Sequence, residues 1–212
     1  MKTAILLRKL RMDNKEFVTS EELRAYCKSL QLDYSIVIRH LVPRGYLVRI
    51  LRGIFYVRSL EERELAKTKY NHLELVAKGL ELKGVGNWYF GLHTALKLNN
   101  MTHETFTVDD VISDKIFRAN PFTIAGYKFK FSKLSPSLLD FGITKAKNEV
   151  RYSDPEKTVL DFIYIWRYNG LPEEKITADM AGWANDTAKK KLRAYAARYP
   201  KTVAATVERV TG

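Results

Sequence analysis

The sequence of 212 residues has a single cysteine, Cys27, and therefore no internal disulfide. A chain of this length buries enough apolar surface to fold without one. It also lacks any run of 18 apolar residues, and the apolar run at residues 4–7 is too short for a signal peptide. These absences exclude a disulfide scaffold, predict no membrane partner, and lead us to expect a cytoplasmic protein.

Catalytic and cofactor-binding motifs are missing as well. The four histidines do not have the spacing of zinc ligands, and there is no Walker loop, dinucleotide fingerprint or nucleophile elbow. Asp154 and Glu156 fit the cap and first turn of a helix better than a pair of nuclease carboxylates. We therefore expect no enzymatic activity, no metal and no cofactor.

Basic residues exceed acidic ones, and the excess lies at the two ends of the chain. The formal net charge is +12. Residues 1–58 carry 12 Lys and Arg against 5 Asp and Glu, residues 59–186 carry 17 against 18, and residues 187–212 carry 7 against 1. A uniformly basic soluble protein would spread this charge evenly. Its segregation favours a polyanionic partner over solubility alone.

The first quarter of the chain has the spacing of three helices. Apolar positions predict the first over residues 2–10. Thr19 or Ser20 caps the second helix, which runs to about Leu30, and Glu22 completes a capping box with Thr19. A short connection then leads to Asp33, which caps a third helix over residues 34–42. In this third helix Ile36, Val37 and Leu41 are predicted to face inward.

A β-hairpin follows the third helix. Apolar runs at residues 46–51 and 54–57 are joined by Arg52 and Gly53 alone, and a glycine suits the tight turn of a two-residue loop. The order helix, helix, tight turn, helix and hairpin predicts a winged helix-turn-helix domain over residues 1–58 that binds duplex DNA.

The third helix of a winged helix enters the major groove. Its expected outward side chains are Tyr34, Ser35, and either Ile38 or Arg39. Arg39 can pair bidentately with guanine, and the alternative is a surface arginine that pairs with a carboxylate. His40 either contacts DNA or is a cation at the helix end, and we favour the second interpretation.

The hairpin carries Arg49 and Arg52, with Arg44 and Arg58 on either side. Arginine at a hairpin tip suits contacts with the DNA backbone or the minor groove. The alternative is an edge strand that its charges protect from pairing. Lys28, at the end of the second helix, is expected to reach a phosphate.

Residues 59–212 are predicted to form a larger mixed α/β domain, which makes the fold class α+β. Helices are expected at residues 60–69, 70–82, 88–98, 155–168 and 173–184, and a last helix is expected to begin at Asp186 or Thr187. Strands are expected at residues 105–112, 116–118, 122–131 and 141–144. Asp154 caps the helix that begins at Pro155. The alternating residues Tyr127, Phe129 and Phe131 belong to the core or line a ligand pocket.

A second basic cluster lies near the C-terminal end. It consists of Lys189, Lys190, Lys191, Arg193 and Arg198. Two interpretations stay open. The cluster is either a second surface that contacts DNA, or a set of cations that complements the dipole of its own helix.

Three segments together resemble the abortive-infection AbiEi antitoxin family. They are RGYLVRILRGIFYV at residues 44–57, WYFGLHTAL at residues 88–96, and FGITKAKNEVRYSDPEKTVLDFIY at residues 141–164. The resemblance covers nearly the whole chain. Its most specific part is the ordered combination of the hairpin with SDPEKTVLDF at residues 153–162.

The resemblance implies a function. Members of that family are transcriptional regulators and the antitoxins of type IV toxin–antitoxin systems. It implies binding to inverted repeats in the promoter, repression of the operon, and cooperative binding of a dimer on DNA. It also implies that a nucleotidyltransferase-like toxin is counteracted without a stable complex.

Two other functions are compatible with the sequence. One is a transcription regulator whose C-terminal domain senses a ligand and which has no toxin partner. The other is a nucleic-acid-processing enzyme that uses the winged helix for docking, and the lack of paired carboxylates and metal ligands argues against it.

Overall fold

The computed structural model describes residues 3–211, so Lys2, with which the predicted first helix begins, lies outside the described residues. The expected mixture of helices and strands is confirmed, and the strands form two sheets. Contacts divide the chain into two units, Met1–Gly86 with Thr123–Tyr127, and Asn87–Phe122 with Lys128–Gly212. No helix within residues 3–211 has the length and apolar composition needed to cross a bilayer.

The first unit contains a small sheet and several short helices. In chain order its elements are α1 (Thr3–Met12), β1 (Phe17–Thr19), α2 (Ser20–Ser29), α3 (Tyr34–Leu41), β2 (Leu47–Leu51), β3 (Ile54–Val57), α4 (Leu60–Glu64) and α5 (His72–Leu82). β1 and β2 both pair antiparallel with β3. Arg52 and Gly53 alone join β2 to β3, and Gly53 has a φ of +84°, which favours glycine.

The predicted caps of α2 and α3 are confirmed. The Thr19 side chain accepts a hydrogen bond from the Glu22 amide, and the Glu22 carboxylate accepts one from the Thr19 amide. Asp33 accepts from the Ile36 amide at 3.0 Å. Each cap satisfies amides that a helix start leaves unpaired, so the two helices begin where the sequence places them.

The core of the first unit lies between its helices and its sheet. It includes Leu6, Leu10, Val18, Leu23, Cys27, Val37, Leu41, Leu47 and Phe55. The prediction that Ile36 faces inward is wrong, because this side chain is 57% exposed. Val37 and Leu41 are four residues apart and share one helix face, whereas Ile36 is rotated about 100° away from Val37.

Helix α5 completes the first unit, although the predicted boundary lies after Arg58. It packs on β2 and β3. A Cβ atom at Gly79 of α5 would lie 2.6 Å from the Cγ2 atom of Ile50, so only glycine permits this close approach. The first unit therefore extends to Gly86 rather than ending at the hairpin.

The described residues after Gly86 form a six-stranded sheet and five α-helices, which belong to the second unit apart from residues 123–127. In chain order these elements are β4 (Trp88–Phe90), α6 (Leu92–Leu98), β5 (Val108–Ser113), β6 (Phe122–Ile124), β7 (Tyr127–Lys133), β8 (Ile143–Lys145), β9 (Arg151–Ser153), α7 (Pro155–Tyr168), α8 (Glu173–Asn185), α9 (Lys189–Ala196) and α10 (Lys201–Thr211). The strand order is β6-β7-β5-β4-β9-β8, with parallel and antiparallel pairs mixed. Phe129 and Phe131 are fully buried core residues, whereas Tyr127 is half exposed.

Some predicted elements of the second unit are wrong. Residues 88–98 form a strand and a helix rather than one helix, because Gly91 breaks the segment where a Cβ would lie 2.4 Å from Ile112. Residues 122–131 contain a hairpin, in which Ala125 and Gly126 both have positive φ. Residues 116–118 form no strand, and β9 is an additional strand.

A buried polar network holds α7 in the second unit. Lys157 and Asp161, one turn apart, are both inaccessible to solvent. The Lys157 Nζ atom donates to Asp161 at 3.2 Å, to the Tyr199 hydroxyl at 3.0 Å and to the Leu138 carbonyl at 2.7 Å. The hydroxyls of Tyr89 and Tyr199 each donate to Asp161 at 2.7 Å. The network satisfies the buried pair entirely from within the unit.

Candidate nucleic-acid interface

A tight turn sets α3 against α2. Gln31 adopts a φ of +53°, and the Leu32 amide donates to the Cys27 carbonyl at 2.8 Å. The side chain of Val37 then anchors α3 in the core. This arrangement leaves one face of α3 in solvent, and a rigid helix with an exposed face is what groove recognition requires.

The exposed face of α3 carries Ser35, Ile36 and Arg39. Arg39 forms no ion pair within the described residues 3–211, although its charge acts on nearby Asp33. Hydrogen bonds from Ser35 and from the Ile36 amide, together with that charge, lower the pKa of Asp33. The Ser35 hydroxyl donates to Asp33 at 2.6 Å. Arg39 is therefore the α3 cation whose guanidinium is open to an external acceptor.

Tyr34, which the sequence places among the base-contacting residues, instead supports its neighbours. Its hydroxyl donates to the Ser20 hydroxyl at 3.1 Å. The guanidinium of Arg24 lies over its ring, 4.0 Å from the centroid. Tyr34 is half-buried between the starts of α2 and α3, and it holds Arg24 at the surface.

His40 and Arg44 act together at the end of α3. One guanidinium nitrogen of Arg44 lies 2.9 Å from Nδ1 of His40 and donates to the His40 carbonyl at 3.2 Å. A guanidinium can only donate, so Nδ1 is the acceptor and the imidazole proton lies on Nε2. His40 thereby offers a donor to any anion that reaches this end of the helix.

The hairpin tip lies beside the start of α2. The Ser20 amide donates to the Gly53 carbonyl at 2.8 Å. The Lys83 ammonium donates to the Arg52 carbonyl at 3.1 Å. Through these contacts and those of Tyr34, three exposed cations, Arg24, Arg52 and Lys83, surround the starts of α2 and α3. We call these three residues the tip cluster.

Sequence reasoning missed two members of the tip cluster. Arg24 had a usable signal, because it lies one turn into a capped helix and one turn before Lys28, on the exposed side. Lys83 had no such signal, because it lies at the end of α5, and the neighbouring sequence does not predict that α5 packs on the hairpin.

The remaining predicted cations are spread over the surface of the first unit. Arg49 is exposed on β2, and its guanidinium lies 5.5 Å from the centroid of the Phe55 ring. Lys28 is exposed in the last turn of α2. Arg58 is half-buried after β3 and does not belong to the hairpin tip.

Four of the five cations in the second basic cluster have intramolecular partners. Lys189 donates to the Thr211 carbonyl, Arg193 pairs with Glu208, and Arg198 pairs with Asp140.

Lys191 bridges Asp154 and Glu156 at 2.9 and 2.8 Å. Burial opposes the charge of Lys191, but its bonds to the two carboxylates outweigh this effect and raise its pKa. Lys190 is exposed. These pairings favour a structural role for the cluster, through ion pairs rather than the helix dipole.

Residues 3–211 contain no group of three or more His, Cys, Asp or Glu side chains that could hold a metal ion. His93 pairs with Asp110 at 3.0 Å. Burial raises the pKa of the Cys27 thiol, which disfavours the reactive thiolate.

Comparisons with known proteins bear on the fold. No protein-family profile and no curated protein matches this sequence. Among solved structures, the crystal structure of the RV2827C protein from Mycobacterium tuberculosis is similar over 99% of this chain and 75% of its own, with a TM-score of 0.60 and 12% sequence identity. At this identity the similarity shows a shared fold and carries no information on activity or partners.

Proposed function

We propose that the first unit is a winged helix-turn-helix that binds duplex DNA, and that the protein is a transcriptional repressor. The observation that carries this proposal is the arrangement of α3 and the β2–β3 hairpin. The exposed face of α3 presents Arg39, and the hairpin tip is fastened to the start of α2 by the Ser20–Gly53 bond. A recognition helix fits the major groove, and a cationic wing on the same unit fits the flanking phosphates.

Within this interface the residues have different roles. Arg39 pairs with guanine in the major groove, and Ile36, exposed beside it, contacts a thymine methyl group. The tip cluster and Arg49 neutralise backbone phosphates. His40 donates to a phosphate through its Nε2 proton. The base contacts set sequence preference, and the phosphate contacts set affinity.

Arg39→Ala is expected to relax sequence preference, whereas Arg52→Ala weakens binding to all sequences alike. The loss at Arg39 should be about 1–3 kcal/mol on the preferred site and small on unrelated DNA, because a bidentate pair discriminates between bases. Fluorescence anisotropy with the promoter duplex and a scrambled duplex measures both. An identical pattern of loss for the two variants would place the wrong element in the groove.

We further propose that the repressor is the antitoxin of a type IV system, is cytoplasmic, and binds an inverted repeat as a cooperative dimer. The support is the resemblance of three ordered segments, of which SDPEKTVLDF forms the start of α7 and its cap. The second unit would carry the antitoxin activity. The toxin would be nucleotidyltransferase-like and would be counteracted without a stable complex.

Co-expression tests the antitoxin proposal. The chain is expected to restore growth to cells that express a nucleotidyltransferase-like protein encoded next to it, and no complex should survive affinity purification. Arg39→Ala should repress poorly yet still restore growth, because the two activities reside in different units. Failure of the unaltered chain to restore growth would leave the alternative of a regulator without a toxin partner.

A further inference from the structure

A cavity of about 500 Å³ lies within the first unit, between the end of α1, the end of β3 and the start of α4. Its size is that of a small-molecule site. The lining includes four cations, Arg11, Lys15, Arg58 and Lys69, and two carboxylates, Glu16 and Glu62. Glu22 pairs with Lys15 at 2.7 Å, so the charges around the cavity sum to an excess of one positive charge.

Both carboxylates of the lining already have donors. Glu16 accepts from the Lys69 ammonium and from the Tyr70 hydroxyl, at 2.5 Å each. These bonds lower the pKa of Glu16. Glu62 accepts from the Tyr56 hydroxyl and from the Lys69 amide. Both carboxylates of the lining therefore accept hydrogen bonds from other donors rather than from Arg11 or Arg58.

The two arginines carry donors without acceptors. Nε and Nη2 of Arg11 and Nε of Arg58 are shielded from solvent and have no hydrogen-bond partner. Buried polar atoms in native proteins are almost always satisfied, and an exception indicates a missing ion, water or ligand. Arg11 and Arg58 both line this cavity, and a guanidinium presents its donors in a planar fork that suits the oxygens of phosphate.

We propose that this cavity binds a small molecule through a phosphate group, as a phosphomonoester dianion. The negative charge of such a group complements the excess positive charge of the lining. The free donors of Arg11 and Arg58 supply its hydrogen bonds after small rotations of the side chains. The two arginines line a cavity, which suits a small molecule better than the backbone of a rigid duplex. The proposal does not depend on DNA binding by α3.

Titration calorimetry of the full chain with inorganic phosphate, at an ionic strength held constant with chloride, tests the proposal. The unaltered protein is expected to saturate at one site. Arg11→Gln and Arg58→Gln should each weaken binding about tenfold to a hundredfold, because each removes charge-assisted bonds. The unpartnered nitrogens make no hydrogen bond in the free protein, so their removal costs no bond there. Circular dichroism checks that both variants fold.

Arg8→Gln is the matched control, because Arg8 is an exposed arginine of the same helix that does not line the cavity. It should bind phosphate as the unaltered protein does. Equal loss in this control would reveal nonspecific attraction to a basic surface, and no binding by the unaltered chain would refute the proposal. If Arg11→Gln weakened DNA binding as Arg52→Ala does while free phosphate did not bind, the phosphate source would be DNA, and the small-molecule proposal would be wrong.

Discussion

Raising the salt concentration from about 50 to 200 mM is expected to weaken binding of promoter DNA roughly a thousandfold, if about six phosphates are neutralised. Each neutralised phosphate releases condensed counterions, so the logarithm of affinity falls linearly with the logarithm of salt concentration. The first unit supplies enough exposed cations for six contacts. They are Arg24, Lys28, Arg44, Arg49, Arg52 and Lys83.

Single variants show which cations contribute to that slope. Arg52→Ala should reduce it by about one phosphate equivalent. Lys190→Ala, at an exposed member of the second basic cluster, should leave it unchanged. An equal reduction by both variants would mean that the second unit also binds DNA, as one interpretation of the sequence holds. A slope near zero for the unaltered chain would refute the electrostatic interface altogether.

Features decided by near neighbours in the chain could be predicted from the sequence. The caps Thr19, Asp33 and Asp154 each accept a hydrogen bond from the amide three residues later. The starts of α2, α3 and α7 are therefore determined by neighbouring residues in the sequence. The hairpin loop at Arg52 and Gly53 is equally local. The exposure of Arg39 could be predicted too, because it follows from helical spacing within α3.

Features decided by distant contacts could not be predicted. The three-residue strand β1 becomes a strand because β3 offers it a partner. The aromatic residues of β4 suit a helix as well as a strand, and β5 and β9 decide the outcome by pairing on either side. The tip cluster needs Lys83, which α5 brings from thirty-one residues beyond Arg52. Tertiary packing overrides local preference at each of these places.

The buried ion pair in α7 could not be predicted from the sequence either, because Lys157 follows Glu156 in a charged first turn that is typical of an exposed helix start. In the structure Lys157 is fully buried. The rings of Tyr89, Phe141 and Tyr199 lie within 5.5 Å of its ammonium. Gly142 lies against it as well, since a Cβ there would be 2.9 Å from the Lys157 Cβ. This part of α7 therefore supports the core of the second unit through a buried ion pair.

Asp161→Ala is expected to destabilise the second unit by about 3–5 kcal/mol, because it leaves the charge of Lys157 buried without its counterion. It also removes the acceptor of Tyr89 and Tyr199. Burial raises the pKa of both tyrosines well above the usual value, so both stay neutral donors that need an acceptor. Urea unfolding should shift to lower concentration by roughly 2 M. The three tryptophans, Trp88, Trp166 and Trp183, all lie in the second unit, so their fluorescence follows it alone.

Asp179→Ala is the matched control for Asp161→Ala. Asp179 pairs with Lys175 at the same spacing of four residues, but on the exposed face of α8. Exposed pairs add little, so this variant should hardly move the midpoint. The double variant Lys157→Met, Asp161→Leu should recover part of the loss, because it removes both charges and keeps the volume. Equal midpoints for the two aspartate variants would mean that water reaches Lys157 and that the network does not brace α7.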